Sequence, residues 1–388
     1  MSENRNLLTW ILVLGVFGIL NTEMGYIGLL PYVAEKFGVT IVQAGLLVSL
    51  FALGVAIAGP TMPLFFSRFN RRHVMILVLG VFTVCNTIAI FAPSFEVLLA
   101  MRVLPAFLHP VYCSMAFTVA AILAGPKNAP KGVAKINVGV SAGMVVGVPI
   151  SNFLAENISL EAALAFFAVV TAAALIATII FVPSMPVREV LSYGSQISVL
   201  YRKMTWISIA AIIFVNGSIF SVFNYAADYL ASVAHFAPTL VSGLLFVYGV
   251  CNIFGSIWAG NLLTNVPRST IKIFPFLVIA VYLALFIASG EIFYAALIVI
   301  WGILGGINAN ITQFWMARTA PSAPDFANGL FLTSANLGVV IGTPFSGIFI
   351  SSFGMSHVIF GGAIFAAVAA IIFWTQMSRA AINPLKED

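Results

Sequence analysis

Charge is what this chain has least of. Only 7% of its 388 residues are Asp, Glu, Lys or Arg, while 61% are hydrophobic; a soluble domain carries about 25% charged residues. That shortage excludes a soluble enzyme of this length and a disordered chain. A nucleic-acid-binding chain is excluded as well, despite the net charge of +5. Cysteine is scarce too. Cys85, Cys113 and Cys251 lie singly in apolar stretches, so neither a disulfide framework nor a cysteine zinc motif is available. No Walker A sequence and no His-Glu-x-x-His pair occurs, so ATP does not drive the protein directly and no metal, cofactor or catalytic residue is expected. Apolar residues fill the space these absences leave. With a mean hydropathy of +1.09, the bilayer is the solvent, and lipid is the first partner the chain must have. The N-terminus leads straight into an apolar run without a small-residue cleavage site, so the first segment is expected to be retained.

A spanning helix needs about 20 mostly apolar residues. Apolar runs of that kind centre roughly on residues 19, 54, 83, 110, 144, 172, 217, 251, 281, 304, 340 and 366. The expected fold is therefore an all-α integral membrane protein of twelve transmembrane helices. Twelve spans put both termini on one side. With those termini in the cytoplasm, fifteen of the seventeen Lys and Arg residues fall in cytoplasmic segments, Arg188, Arg379 and Lys386 among them; Lys36 falls outside and Arg102 within a span. The positive-inside rule selects that orientation in the cell membrane, and it accounts for the basic net charge without an acidic partner. The longest cytoplasmic connection divides the chain into a six-helix half at 1–183, a linker at 184–204 and a second six-helix half at 205–388.

The two halves repeat one another. Gly143-Met-Val-Val-Gly147-Val-Pro149-Ile-Ser151 returns as Gly338-Val-Val-Ile-Gly342-Thr-Pro344-Phe-Ser346, 195 residues on, and Gly45-Leu46-Leu47 returns as Gly243-Leu244-Leu245, 198 residues on. Parallel six-span repeats are a transporter architecture, with the substrate site expected between the halves. Small residues at such spacings also simply pack helices.

Thr22-Glu23, Gly28-Leu29-Leu30-Pro31, Ala44-Gly45-Leu46-Leu47-Val48-Ser49 and Ala52-Leu53-Gly54 resemble the opening of the drug:proton antiporter branch of the major facilitator superfamily. Within it the chain is most similar to sugar, drug and purine efflux permeases. Trp301-Gly302, Gln313, Ala320-Pro321 and Asn336-Leu337-Gly338 extend the resemblance through the second half. Ser67-Arg68-Phe69-Asn70-Arg71-Arg72 resembles the superfamily's basic loop between spans two and three, with Ser67 in place of its usual acid and Asn70 in place of its usual glycine. Arg68 and Arg71 there are either gating residues or topology determinants. Gly139, Gly143, Gly147 and Pro149 resemble the antiporter glycine motif of span five, and the i, i+4, i+8 spacing gives one smooth face for close helix approach.

Charge inside a bilayer is costly and functional by default. Glu23 lies eight residues before Pro31 and Arg102 eight residues after Ser94, so at 1.5 Å per residue both sit roughly 12 Å inside the same boundary. An ion pair or a shared water cavity follows as an expectation, with Glu23 and Arg102 as the proton-coupling residues. Burial favours the neutral acid and a neighbouring arginine favours the carboxylate, the competition a proton carrier needs. His109, followed by Pro110, is either a titrating group in a wet cavity or a hydrogen-bonded packing residue. The substrate-binding candidates are His109, Asn224, Tyr225, Asp228, Asn308 and Gln313; the amides among them could equally tie helices together, and Asp228 is either a local specialty or an interfacial acid.

The duplicated layout thus predicts a secondary active transporter, expected to be a monomer, and the resemblance implies that it exports a small organic molecule such as a drug, sugar or nucleoside-like metabolite in exchange for protons. An uptake symporter or facilitator is the first alternative. A membrane receptor without flux is the second, and no loop has room for its output domain.

Overall fold

A computed structural model describes residues 2–187 and 192–378; Arg188, Arg379 and Lys386, counted above in the charge distribution, lie outside them. Every regular element among the described residues is helical. The chain forms two compact units, Met1–Gln196 and Ile197–Asp388.

Among the described residues, eleven helical segments are long and apolar enough to cross a membrane, and the helix Leu46–Ala58 accompanies them as a shorter one. This last belongs to the second span. At 13 residues it reaches only about 20 Å, and the chain turns at Gly59-Pro60-Thr61 before resuming as Met62–Phe66. Pro60 is the cause: it lacks an N–H and its ring crowds the carbonyl four residues back. Span one is the opposite case, an unbroken helix over Ser2–Phe37. Gly38 ends it in the left-handed region at φ 63°, and the Val39 N–H bonds back to the Ala34 carbonyl at 3.1 Å, a Schellman stop. Beside that stop, Lys36 pairs with Glu161, in the first turn of span six.

Span four is broken where the sequence places Pro110. Phe95–Ala106 ends, Phe107 and Leu108 turn, and His109–Ala124 begins with the proline in its first turn, where no N–H is needed. Span five contains one π turn, Gly143–Gly147, between Ala129–Ala142 and Val148–Asn157; Pro149 sits in the first turn of the latter.

Glycines set a close helix contact of the same kind in each unit. A Cβ at Gly139 would lie 2.7 Å from the Val13 carbonyl oxygen, one at Gly143 2.7 Å from Leu20 Cβ, and one at Gly147 2.1 Å from Asn21 Oδ1. Span five therefore rests its glycine face on span one. In the second unit, a Cβ at Gly338 would meet the Ile213 carbonyl at 2.6 Å and one at Gly342 the Gly217 carbonyl at 3.1 Å, so the eleventh span rests on the seventh in the same way. The repeated motif makes the same contact in both units, as duplication requires.

Candidate functional site

Within the first unit, spans one, two and four bring their polar residues together. Arg102 is buried. Its Nη1 donates to the Thr22 carbonyl at 2.9 Å, Nη2 to the Glu23 carbonyl at 2.6 Å, and Nε to the Leu47 carbonyl at 3.3 Å. The guanidinium is stacked by Phe51 and Tyr26, with ring centres 3.9 and 4.5 Å from Cζ. Its donors are thus directed at backbone, and its flat faces at aromatic rings, which is how a guanidinium is accommodated away from water.

The Glu23 carboxylate has a different partner from the one its depth suggested. Oε2 lies 3.0 Å from His109 Nε2. Arg102 does lie level with Glu23, as the count from Ser94 predicts, but it meets the Glu23 carbonyl; the carboxylate meets His109, the first residue of the helix that begins after Phe107-Leu108. Cys113, one turn on, approaches the same Nε2 at 3.8 Å, and Phe51 meets the imidazole edge-to-face at 5.9 Å. His109 is buried and its Nδ1 has no hydrogen-bond partner. The arrangement holds a carboxylate and an imidazole in hydrogen-bond contact, so a proton can reside on either, and Nδ1 offers a further protonation site. Beneath them Asn86 Nδ2 donates to Thr22 Oγ1 at 3.1 Å, tying span three to the same stretch of span one.

In the second unit the candidate amides fall into separate groups. Asn308 donates to Asn216 Oδ1 at 2.9 Å, and Asn216 in turn donates to the Ala335 carbonyl at 2.7 Å, linking spans ten, seven and eleven. Gln313 donates to Asn328 Oδ1 at 2.8 Å. Asn224, at the exposed end of span seven, donates to Thr343 Oγ1 at 2.8 Å, and the Tyr225 hydroxyl donates to the Thr343 carbonyl at 3.3 Å. Asp228 is exposed on the short helix Ala226–Ser232 that follows. Asn216 was not singled out by sequence; its place, 195 residues after Asn21 in the duplicated frame, was the available signal.

Arg68 lies over the Tyr193 ring, 3.8 Å from its centre, and the Arg71 backbone N–H donates to the Met185 carbonyl at 3.1 Å. Gly139-Val-Ser141-Ala-Gly143 carries the letter spacing of a hydrolase nucleophile elbow, but such an elbow needs a strand-to-helix turn. Ser141 is buried inside a helix instead. No cluster of metal-binding side chains occurs among the described residues.

Comparison with known proteins agrees with this architecture. A sequence model described as Major Facilitator Superfamily matches residues 12–324 and 209–387. The chain is 28% identical over 370 residues to the inner membrane transport protein YdhP of Escherichia coli K12, covering 95% of both chains. It is 25% identical over 367 residues to a probable sugar efflux transporter of Helicobacter acinonychis, covering 93% of this chain and 92% of that one. In fold it is similar to the human organic anion transporter MFSD10, with a TM-score of 0.77 at 15% identity over 95% of this chain and 99% of that one. The transporter FucP, solved in the outward conformation, gives 0.76 at 15% identity over 96% and 99%.

Proposed function

The chain belongs to the major facilitator superfamily, and from that premise we propose that it exports a small organic molecule in exchange for protons, with Glu23 and His109 together as the proton-carrying element. The observation that supports this is the 3.0 Å contact between the carboxylate and the imidazole inside spans of a membrane transporter. A lone acid would hold one exchangeable proton against burial. The pair holds a proton between two bases and accepts another at Nδ1, so loading and release change its charge in steps. Arg102 acts on Glu23 through the backbone, fixing the two carbonyls at the root of the side chain. Export, rather than uptake, is supported by the printed name of the Helicobacter relative.

The remaining assignments are part of the same reading. The halves are 1–183 and 205–388, joined by 184–204, with that linker and both termini in the cytoplasm and the protein a monomer in the cell membrane. Asn224, Tyr225 and Asp228, which keep exposure, meet substrate. Asn308 and Gln313 line its path from within their interhelical bonds. The basic loop of Arg68 and Arg71 takes part in conformational change, and the glycine face of Gly139, Gly143 and Gly147 preserves the seal between spans one and five.

The test is a panel of sugars, drugs and nucleosides on proteoliposomes, with and without an imposed pH gradient. A compound that accumulates against its own gradient only while protons flow the other way establishes exchange. Co-directional flow would make the protein a symporter, and gradient-independent equilibration a facilitator. Binding without flux of any panel compound would make it a receptor.

A further inference from the structure

Spans nine and twelve, Pro267–Ile287 and Val358–Ser378, pack against each other in the second unit and hold a cation where the protein offers it no oxygen. Each has 21 residues, so each reaches about 31 Å, close to the thickness of the hydrocarbon layer. Lys272 lies five residues into span nine and Trp374 four residues before the end of span twelve. Both therefore sit about 6–8 Å from the same end of the helix pair, just inside the boundary between acyl chains and headgroups. Lys272 Nζ is 5.0 Å from the centre of the Trp374 ring, and Phe276, one turn further along, meets that indole edge-on at 6.3 Å. Phe276 and Trp374 are exposed, as are Ile273 and Ile371 beside them. An exposed surface this apolar on a spanning helix faces lipid, and tryptophan is enriched at the headgroup boundary.

The ammonium is short of partners. Neither span contains an Asp or Glu. Among the described residues Lys272 has no ion pair and no hydrogen bond to an oxygen, although an ammonium carries three N–H donors and the indole face covers only one side of it. The first unit closes the same corner from within. Spans three and six, Arg71–Ile90 and Leu160–Phe181, are the counterparts of nine and twelve, and there Arg72 Nη2 donates to the Ile179 carbonyl at 2.8 Å. Trp374 stands 195 residues after Ile179, the offset of the glycine repeat. Where the first unit presents a carbonyl to its cation, the second presents the face of a ring and leaves the N–H groups to an acceptor from outside.

We propose that the crevice between the start of span nine and the end of span twelve seats one anionic phospholipid of the surrounding leaflet. Lys272 donates to its phosphate, and Trp374 and Phe276 lie against the glycerol and the upper acyl chain. Arg268, exposed and one turn nearer the helix start on the same side, adds positive charge at headgroup level. The charge pattern selects a headgroup with net negative charge: a zwitterionic one would bring its own ammonium to two cations with no acid in either span to receive it.

Native mass spectrometry of the full-length protein, titrated in detergent with phosphatidylglycerol, phosphatidylcholine or phosphatidylethanolamine, tests this without any transported substrate. One phosphatidylglycerol should be retained more tightly than either zwitterionic lipid. Lys272→Gln should weaken its retention about fivefold, the usual effect of one lysine near an anionic membrane surface, and Lys272→Arg should keep it. Lys127→Gln removes an exposed cation of the first unit and should leave retention unchanged. Free glycerol phosphate in excess should not displace the lipid, because it lacks the chain that lies on the aromatic wall. Equal retention of all three lipids, wild-type retention in Lys272→Gln, the same loss in Lys127→Gln, or displacement by glycerol phosphate would each overturn the proposal.

Discussion

Glu23 Oε2 and His109 Nε2 face each other at 3.0 Å, one from the unbroken first span and the other from the first residue after the break in the fourth. The carboxylate's partner is thereby an imidazole, a group with two protonation states, whereas the Arg102 guanidinium is bonded to main chain.

If the pair works as one element, its two members are not additive. Glu23→Gln and His109→Gln should each abolish export driven by a pH gradient, and the double variant should be no worse than either single one. Substrate equilibration without a gradient should survive in all three. Initial rates in proteoliposomes decide the matter; a wild-type gradient-driven rate in His109→Gln would leave Glu23 as carrier alone.

Arg102 should prove mainly structural. Arg102→Lys keeps the charge but cannot reach three carbonyls from two spans while lying flat between Phe51 and Tyr26. We expect it to cost about 3 kcal/mol of stability, since hydrogen bonds to charged groups contribute roughly 1.5–3 kcal/mol each. The unfolding midpoint in detergent should fall accordingly. An unchanged midpoint with lost transport would instead make Arg102 a direct participant in proton movement.

The residue-level differences between sequence and structure have identifiable sources. Hydropathy marks long apolar runs because the bilayer imposes one length on all of them, and the Gly143–Pro149 repeat is legible because close backbone approach tolerates only small residues. The second span read as an ordinary span although Pro60 divides it, because composition does not report a turn inside an apolar run. Counting helix residues does place Arg102 level with Glu23, but depth alone does not say that the guanidinium takes main-chain carbonyls and leaves the carboxylate to His109. The hydrogen bond from Gln196 to Ser67 joins residues remote in sequence through short neutral side chains, and no local pattern announces such a choice.

Orientation is open to direct labelling. In intact cells, single-cysteine variants at Glu35 and Lys127, both exposed, should behave oppositely toward a membrane-impermeant maleimide: position 35 reacts, and position 127 is protected until the membrane is permeabilised. The distribution of basic residues requires this result, and the reverse pattern would invert the topology.

The contact between spans one and five yields the most specific prediction. Asn21 is fully buried, yet neither Oδ1 nor Nδ2 has a hydrogen-bond partner. Its Oδ1 occupies the space a Cβ at Gly147 would need, 2.1 Å from that point. Gly147→Ala should therefore overpack the contact at a cost of roughly 1–3 kcal/mol, and Gly147→Leu should lose transport even where the protein inserts. Asn21→Ala alone should be neutral or stabilising by about 1 kcal/mol, because it removes a buried amide whose desolvation nothing offsets. Placed together, Asn21→Ala should rescue most of the Gly147→Ala loss, a coupling expected only of residues in direct contact. Gly143 supplies the control. A Cβ there meets Leu20 Cβ at 2.7 Å and the Asn21 backbone nitrogen at 3.0 Å, neither of which truncating the Asn21 side chain removes, so Asn21→Ala should not rescue Gly143→Ala. Unfolding midpoints of the three single and two double alanine variants measure all of this. Equal rescue at both glycines, or a marked loss of stability in Asn21→Ala by itself, would show that the amide is satisfied and that the glycine face is held by something other than this contact.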